Sequence, residues 1–399
     1  MRILFVAVTN SIHTARWISQ LNGQGWDIHL FPAEESRIHS ALKNVTVHTF
    51  LNGRTPDIDR SVRLVGAWPF ARGAGVAKRA VKQLAAKSWA NPAWRLARTI
   101  RKLQPDIVHS MEMQHAGYLT FEARKYLNGQ FPPWIYTAWG SDIFFFGQQP
   151  EHAKRIRTVL AGCDYFTADC QRDVALAKKF GFEGEVLGVF PGPGGYNIQY
   201  MQQFRQACST SERKVIALKG FHDDKAVKGL VALQALHLCA DKLSGYEIVV
   251  YSARPNVRYA AEYVARVTGR KITIMPPSQH DEILKLMGRA RMAISTNISD
   301  GTPNAMLEAM VMGAFPIQSD TISTGEWIKD GENGLLVPPE KPEMVATAIR
   351  RALHDDKLVD QAAQINAQIT AERIEMSVIK PQVIRMYEYV AAQGKRRSN

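Results

Sequence analysis

Two carboxylates stand eight residues apart in the stretch TNISDGTPNAMLEAMVMGAFPIQSD, residues 296–320: Asp300 in a turn and Glu308 among apolar residues. Met306, Leu307, Ala309, Met310 and Met312 surround Glu308 in sequence, so the helix is apolar nearly all round and is expected to be buried. A buried carboxylate is costly unless something pairs with it. Two partners suit it: an Arg or Lys of the same chain, or the hydroxyls of a bound ligand, since a carboxylate is a good acceptor for a ribose diol.

The residues around the pair favour a ligand. ARMAIST reads as a strand ending near Thr296, and NISDG as the loop after it. Thr302 suits the N-cap, Pro303 the first helical position and Gly313 the C-terminal stop. The amides of Gly301, Thr302, Asn304 and Ala305 would then point out of the helix start, where the helix dipole favours an anion. Glu308 lies about five residues further, roughly 7.5 Å along the axis. A diphosphate at the helix start would leave a neighbouring sugar within its reach.

The elements that position this stretch alternate strand and helix, which implies parallel sheets covered on both faces. The first series runs through RILFVAV, DIHLFP, DIVHS, PWIYTAW and YFTAD; a second begins at KVIALKG and continues through YEIVVYSA, KITIMP, MAIST and FPIQS. A Pro/Gly cluster, VFPGPGGY, lies between them. At 399 residues the chain exceeds one ordinary core. The expected organisation is a Rossmann-like domain over 1–195, a linker over 196–213, a second such domain over 214–375, and a C-terminal helix with a basic tail over 376–399.

Composition excludes several classes. No apolar run approaches ~18 residues, so no membrane-spanning helix is expected, and the apolar start ILFVAV reads as a strand rather than a secretion signal. Cys163, Cys170, Cys208 and Cys239 form no C-x-x-C pair, so neither zinc nor a disulfide framework is indicated, which suits a cytoplasmic protein. No His/Cys cluster suggests a metal. The net charge is +13, of which residues 1–200 supply +9 from 24 Lys/Arg and 15 Asp/Glu. From Arg60 to Gln104 there are eleven basic residues and no acidic one, which points to an anionic partner. Residues 74–103 read as two helices, the second starting at Pro92 with Arg95, Arg98 and Lys102 on one face. With Trp68, Trp89 and Trp94 nearby, this is either an interfacial membrane surface or a solvated face over core tryptophans.

The motif Asp300-x7-Glu308 within DGTPNAMLEAMVMGAFPI resembles the E-x7-E motif of retaining glycosyltransferases of family 4, whose fold is GT-B: two doubly wound domains facing across a cleft, with a C-terminal helix that crosses back. GEWIKDGENGLLVPPEKPEMVATAIRRAL resembles the segment that follows in that family; PDIVHS and WGSD do so more loosely. The resemblance implies that Glu308 binds the nucleotide ribose, that Asp300 sits by the donor sugar, and that the segment Gly301, Thr302, Pro303, Asn304 and Ala305 holds the diphosphate. The family's first Glu is here Asp300, one methylene shorter, and Thr302 replaces a more usual apolar residue.

The resemblance also implies a basic pair after the first strand of the second domain, where ALKGFHDDKAVKGL supplies Lys219, Lys225 and Lys228. Lys219 and Lys228 are the catalytic candidates and Lys225 a donor-binding one. It places the loop DIVHSMEMQHAG at the cleft facing the donor sugar, with His115 a further catalytic candidate that could hydrogen-bond the sugar or the acceptor and Glu112 an acceptor or cleft candidate, although a lone His is more often structural. Asn10, Ser11 and His13 replace the family's Gly-rich turn, and Asp142 of WGSD lies at another strand end; both are acceptor-side candidates. Asp57-x-Asp59 sits in a Pro/Gly-rich loop and reads as surface. The implied activity is transfer of a sugar from a nucleotide-diphosphate-sugar to a glycan or lipid-linked acceptor in surface polysaccharide or glycoconjugate synthesis. No cofactor or essential metal is expected, and no nucleic acid. The alternatives are another GT-B enzyme, such as a nucleotide-sugar epimerase, and a basic nucleic-acid- or membrane-binding protein without transferase activity.

Overall fold

The computed structural model describes residues 1–50, 55–66, 91–129, 131–220, 228–321 and 323–398. The chain divides into two compact units, one of residues 1–195 and 379–399, the other of residues 196–378.

The first unit is built on an eight-stranded sheet: β1 (Arg2–Ala7), β2 (Asp27–Pro32), β3 (Thr46–His48), β4 (Arg63–Val65), β5 (Ile107–Met111), β6 (Trp134–Ala138), β7 (Tyr165–Ala168) and β8 (Glu185–Val189). Its order is β4-β3-β2-β1-β5-β6-β7-β8, every pair parallel. Side chains alternate across it. Ile3, Phe5 and Ala7 enter one core, Leu4 and Val6 the other. Both faces are therefore covered, as parallel sheets require. The last helix, Met376–Ser398, gives Ile379, Val383, Met386, Tyr387 and Val390 to the first of these cores. The Tyr387 hydroxyl accepts from Trp17 Nε1 at 2.8 Å and meets His109 Nδ1 at 2.7 Å. His109 Nε2 reaches Thr137 Oγ1 at 2.6 Å, and burial pushes its pKa down to about 3. His109 is thus a neutral strut between helix and sheet.

The second unit has six parallel strands: β9 (Val215–Lys219), β10 (Glu247–Tyr251), β11 (Ile272–Ile274), β12 (Ala290–Ser295), β13 (Phe315–Ser319) and β14 (Leu335–Val337), in the order β11-β10-β9-β12-β13-β14. Ile216, Leu218, Ile248, Val250 and Ile294 fill one core and Ala217, Val249 and Ala293 the other. The order reverses direction between β9 and β12. In open α/β sheets that reversal, at the carboxyl ends of the strands, is where ligands bind.

Residues 196–213 differ from the linker expected of their polarity. The helix Ile198–Gln202 packs on the second unit. Thr210 Oγ1 donates to Gly313 O at 2.7 Å, and buried Arg213 donates to Ala290 O and Met312 O. These polar residues satisfy main-chain carbonyls at the bottom of the sheet, so their polarity does not mark exposure.

Two glycines bring the ends of segment 221–227 together. A Cβ on Gly229 would lie 2.0 Å from Gly220 O and 2.9 Å from its carbonyl carbon. Both are backbone atoms, so no rotamer change relieves the clash. Gly229→Ala is expected to destabilise the second unit by about 3 kcal/mol, the upper range for overpacking. Gly325→Ala, where a Cβ meets nothing within 4 Å, is expected to leave the denaturation midpoint nearly unchanged. Equal midpoints for the two variants would contradict the close approach.

Candidate active site

β9 and β12 deliver two loops to the reversal point. Lys219 ends β9, and Lys228 precedes the helix Gly229–Leu238. The Lys228 amide donates to Thr296 O at 2.6 Å, and Thr296 Oγ1 donates back to Lys228 O at 2.8 Å. This two-way clasp fixes the backbone of Lys228 against the loop that carries Asp300. Lys225 lies outside the described residues.

Asp300 is held by its own loop. Its Oδ2 accepts from Asn297 Nδ2 at 2.8 Å and its Oδ1 from the Gly301 amide at 3.0 Å. Asn297 is fully buried, and its amide donates to Ser319 Oγ at the end of β13. Ser323 Oγ donates to Gly301 O at 2.8 Å. The orientation of Asp300 therefore follows from β12 and β13.

The helix Asn304–Met312 begins one residue later than expected. Pro303, at φ −67° and ψ 114°, holds the N-cap position, and Thr302 instead accepts from Trp327 Nε1 at 3.1 Å. The buried indole N–H needs an acceptor, and Thr302 Oγ1 provides it. The Gly301 amide is taken by Asp300, which leaves Asn304 and Ala305 as first-turn amides without intrahelical partners. The Asn304 Oδ1 accepts from Tyr196 OH at 2.5 Å. Gly313 closes the helix at φ 72°, a left-handed turn that favours glycine.

Glu308 is 7% exposed and, among the described residues, forms its ion pair with His280 rather than with Arg or Lys. Its Oε1 lies 2.7 Å from Nε2 of His280, the first residue of the helix His280–Arg289. His280 itself is half-buried. Beneath the pair, Tyr251 at the end of β10 has its phenol pushed well above its usual range, first by burial and then by the charge of Glu308. Glu308 is thus a buried carboxylate set in an apolar wall and steadied by one imidazole.

The first unit presents its loops at its own reversal point, between β1 and β5. Ser11 caps the helix Ile12–Ser19, accepting from the His13 amide at 3.2 Å. The His13 ring meets Trp139 edge-on at 5.7 Å, and Asn10 is exposed. After β5 the chain enters a five-residue π-turn, Met113–Gly117, that sequence reasoning missed. Glu112 stands before it at φ 81°, a strained value for a residue with a side chain. Its carboxylate accepts from the amides of Gln114 at 2.7 Å and His115 at 2.9 Å, and meets His115 Nδ1 at 3.0 Å. Glu112 therefore caps the turn. It raises the pKa of half-exposed His115, chiefly through that hydrogen bond.

Asp142 departs further from its expected acceptor-orienting role. It is 3% exposed and accepts from Tyr136 OH at 2.6 Å and from the amides of Trp139, Met113 and Ile143. Burial pushes its pKa up to about 8. It ties the loop after β6 to the π-turn, and so positions His115 at second hand.

Among the described residues, Asp169, Cys170 and Asp173 form a buried group close enough to hold a metal. The site does not suit one: Arg172 already lies 2.8 Å from Asp173, and burial pushes the Cys170 thiol far up, away from the thiolate a metal needs. Asp57 is exposed and Asp59 accepts from Ser61 at 2.7 Å, a surface turn as expected.

Comparison with known proteins places this geometry. Residues 2–66 and 70–170 match the family model described as glycosyl transferase 4-like, and residues 212–355 match glycosyl transferases group 1. The fold resembles sucrose-phosphate synthase from Thermosynechococcus elongatus, with TM-score 0.70, 13% identity, and coverage of 98% of this chain and 100% of that one. It also resembles Anabaena HepE in complex with UDP-glucose, with TM-score 0.67, 15% identity, and coverage of 98% and 100%. A phosphatidyl-myo-inositol mannosyltransferase from Mycobacterium leprae is 32% identical over 91 residues, 23% of this chain and 24% of that protein. The matched region spans about a quarter of that relative's length, and 16% of an exopolysaccharide phosphotransferase from Streptomyces coelicolor. With matching models over both units and the GT-B fold along its length, the chain belongs to the GT-B glycosyltransferases of the family 4, or group 1, type.

Proposed function

We propose that this protein is a retaining glycosyltransferase whose second unit holds a nucleotide-diphosphate-sugar at residues 300–308. The observation that carries the reading is Glu308: a carboxylate set in an apolar helix, one helical stretch beyond a free-amide N-terminus, at the reversal point of the sheet. Glu308 accepts from the ribose hydroxyls. The amides of Asn304 and Ala305 and the helix dipole take the diphosphate. Lys219 and Lys228 neutralise the charge that grows on the leaving group. No metal is required for that task.

In the transfer step the bond between the sugar's anomeric carbon and the diphosphate oxygen breaks. The acceptor hydroxyl bonds to the same face of that carbon, and its proton passes to a departing phosphate oxygen. Asp300 stands beside the donor sugar, and its fixed carboxylate orients that sugar and stabilises positive charge at the reacting carbon. His115 faces the donor sugar and can hydrogen-bond it or the acceptor, and Asn10, Ser11 and His13 belong to the acceptor side, with the acceptor a glycan or lipid-linked sugar in surface polysaccharide or glycoconjugate synthesis. The names of relatives that transfer mannosyl or kanosaminyl groups support sugar transfer in general. Among the described residues no helix is long and apolar enough to cross a membrane. A peripheral position on the cytoplasmic face, through the basic segment 60–105, fits a lipid-linked acceptor.

Thermal denaturation with UDP, GDP and ADP tests the donor site. A nucleotide at ~100 times its Kd adds about 2.7 kcal/mol by mass action, and one of the three is expected to raise the melting temperature. No rise with any of them overturns the reading.

A further inference from the structure

The first unit contains a cavity of about 750 Å³ that the donor and acceptor roles do not use. Alternate residues of β2, β3 and β4, on one face of the sheet, form its floor, and the helix Pro92–Leu103 forms one wall. Asn91 caps that helix, accepting from the amides of Ala93 and Trp94. Leu96 and Ile100 are buried on its inner face, and Arg95, Arg98 and Lys102 follow one another on the other.

The cations of this cavity divide into two groups. Arg2 is paired with Asp27 at 2.6 Å, and Arg95 with Glu35 at 3.5 Å. Arg95 also lies 4.1 Å from the centre of the Phe50 ring, so it is part of the wall. Arg63, Arg98 and Lys102 line the same cavity, are exposed, and form no ion pair among the described residues. Arg98 stacks above Trp94 at 5.5 Å. No acidic residue occurs between Arg60 and Gln104, and the carboxylate that lines the cavity, Asp27, is taken by Arg2 and by His29 at 2.9 Å.

Arg98 and Lys102 are four residues apart on a helix, where like charges repel and destabilise. Arg63 adds a third charge from the strand opposite. His48 in the floor, 2.9 Å from His29, has its own pKa held down to about 4, chiefly by burial. A concave site of this volume, with an aromatic side and three uncompensated cations at its rim, suits a ligand with an anionic group and a flat or apolar body.

We infer that this cavity is a binding site for a phosphate-bearing ligand, with Arg63, Arg98 and Lys102 holding the phosphate and Trp94 the adjoining body. The inference does not rest on the transferase reading, because every group named lies in the first unit and its test contains no nucleotide sugar. The phosphate has two sources: a free phosphate compound, or the headgroup of an anionic lipid.

The test uses the full chain and two probes, inorganic pyrophosphate and vesicles of phosphatidylcholine doped with phosphatidylglycerol. The signal is Trp94 emission, taken as the difference from the Trp94→Phe protein, so that binding elsewhere does not register. One variant carries Arg63→Gln, Arg98→Gln and Lys102→Gln. A second carries Lys154→Gln, Lys178→Gln and Lys179→Gln, exposed positions of the same unit that remove the same charge. Such surface changes leave the fold intact. The cavity variant is expected to lose about a hundredfold in affinity, about fivefold for each cation, while the control variant stays within severalfold of the parent. A Trp94 response to pyrophosphate alone assigns a free phosphate; a response to doped vesicles alone assigns a headgroup. Equal losses in both variants, or no Trp94 response to either probe, overturn the inference.

Discussion

Glu308→Ala is expected to weaken nucleoside-diphosphate binding by roughly tenfold to a hundredfold, the loss of hydrogen bonds to a charged acceptor at ~1.5–3 kcal/mol. The protein's own stability should hardly move. Removing Glu308 takes one hydrogen bond from His280, which is half-buried and can bond water there instead. Alanine is also the better helix former within Asn304–Met312. Calorimetric titration of the variant and parent, with melting curves of both unliganded proteins, separates the two effects. His280→Gln supplies the complementary case. It keeps a hydrogen-bond donor near Glu308 and is expected to cost a few-fold in donor KM with kcat retained. A Glu308→Ala protein that melts far below the parent and binds nucleotide normally would assign Glu308 to structure alone.

Asp300→Ala should act on the rate. The carboxylate touches the donor sugar in the proposed arrangement, not the nucleotide. Its removal is expected to lower kcat by roughly 10²–10³, the usual cost of one preorganised electrostatic group, with nucleotide affinity unchanged within a few-fold. Asp300 also receives Asn297 Nδ2 and the Gly301 amide, so Asp300→Asn is the necessary companion. It retains one acceptor for the Gly301 amide but carries no charge. If loop geometry were all that Asp300 supplied, Asn would restore most of the rate; if charge matters, Asn stays close to Ala. The side chain is one methylene shorter than the Glu of the family motif, and the Asn297 clasp sets where it points.

Much of the fold was legible in the sequence because parallel sheets covered on both faces leave uninterrupted apolar strands. RILFVAV, DIVHS and KVIALKG mark β1, β5 and β9 within a residue or two. The stretch 300–308 was legible because a turn, a proline, an apolar helix and a glycine stop follow one another without a gap. His280 was not. It meets Glu308 only because two helices, 28 positions apart in their contacting residues, both pack against the same sheet. The capping bonds of Asp142 and Glu112 were not legible either: a carboxylate at a strand end looks the same in sequence whether it faces a ligand or caps a turn. Glu112 sits at positive φ beside a π-turn, and no residue pattern announces that. The polar run 196–213 was misread because Arg213 and Thr210 spend their polarity on buried carbonyls. Lys225 and residues 67–90 of the basic segment fall outside the described residues.

The central claim is that residues 300–308 hold a nucleotide-sugar and that its sugar leaves with its anomeric configuration kept. The most direct measurement follows turnover of a panel of nucleotide-sugars by proton NMR, reading the anomeric form of the first sugar product. The account predicts that one donor is consumed, that the product has the same anomeric configuration as the donor, and that Asp300→Ala abolishes the signal. Turnover with inverted configuration, or a parent rate matched by Asp300→Ala, would contradict it.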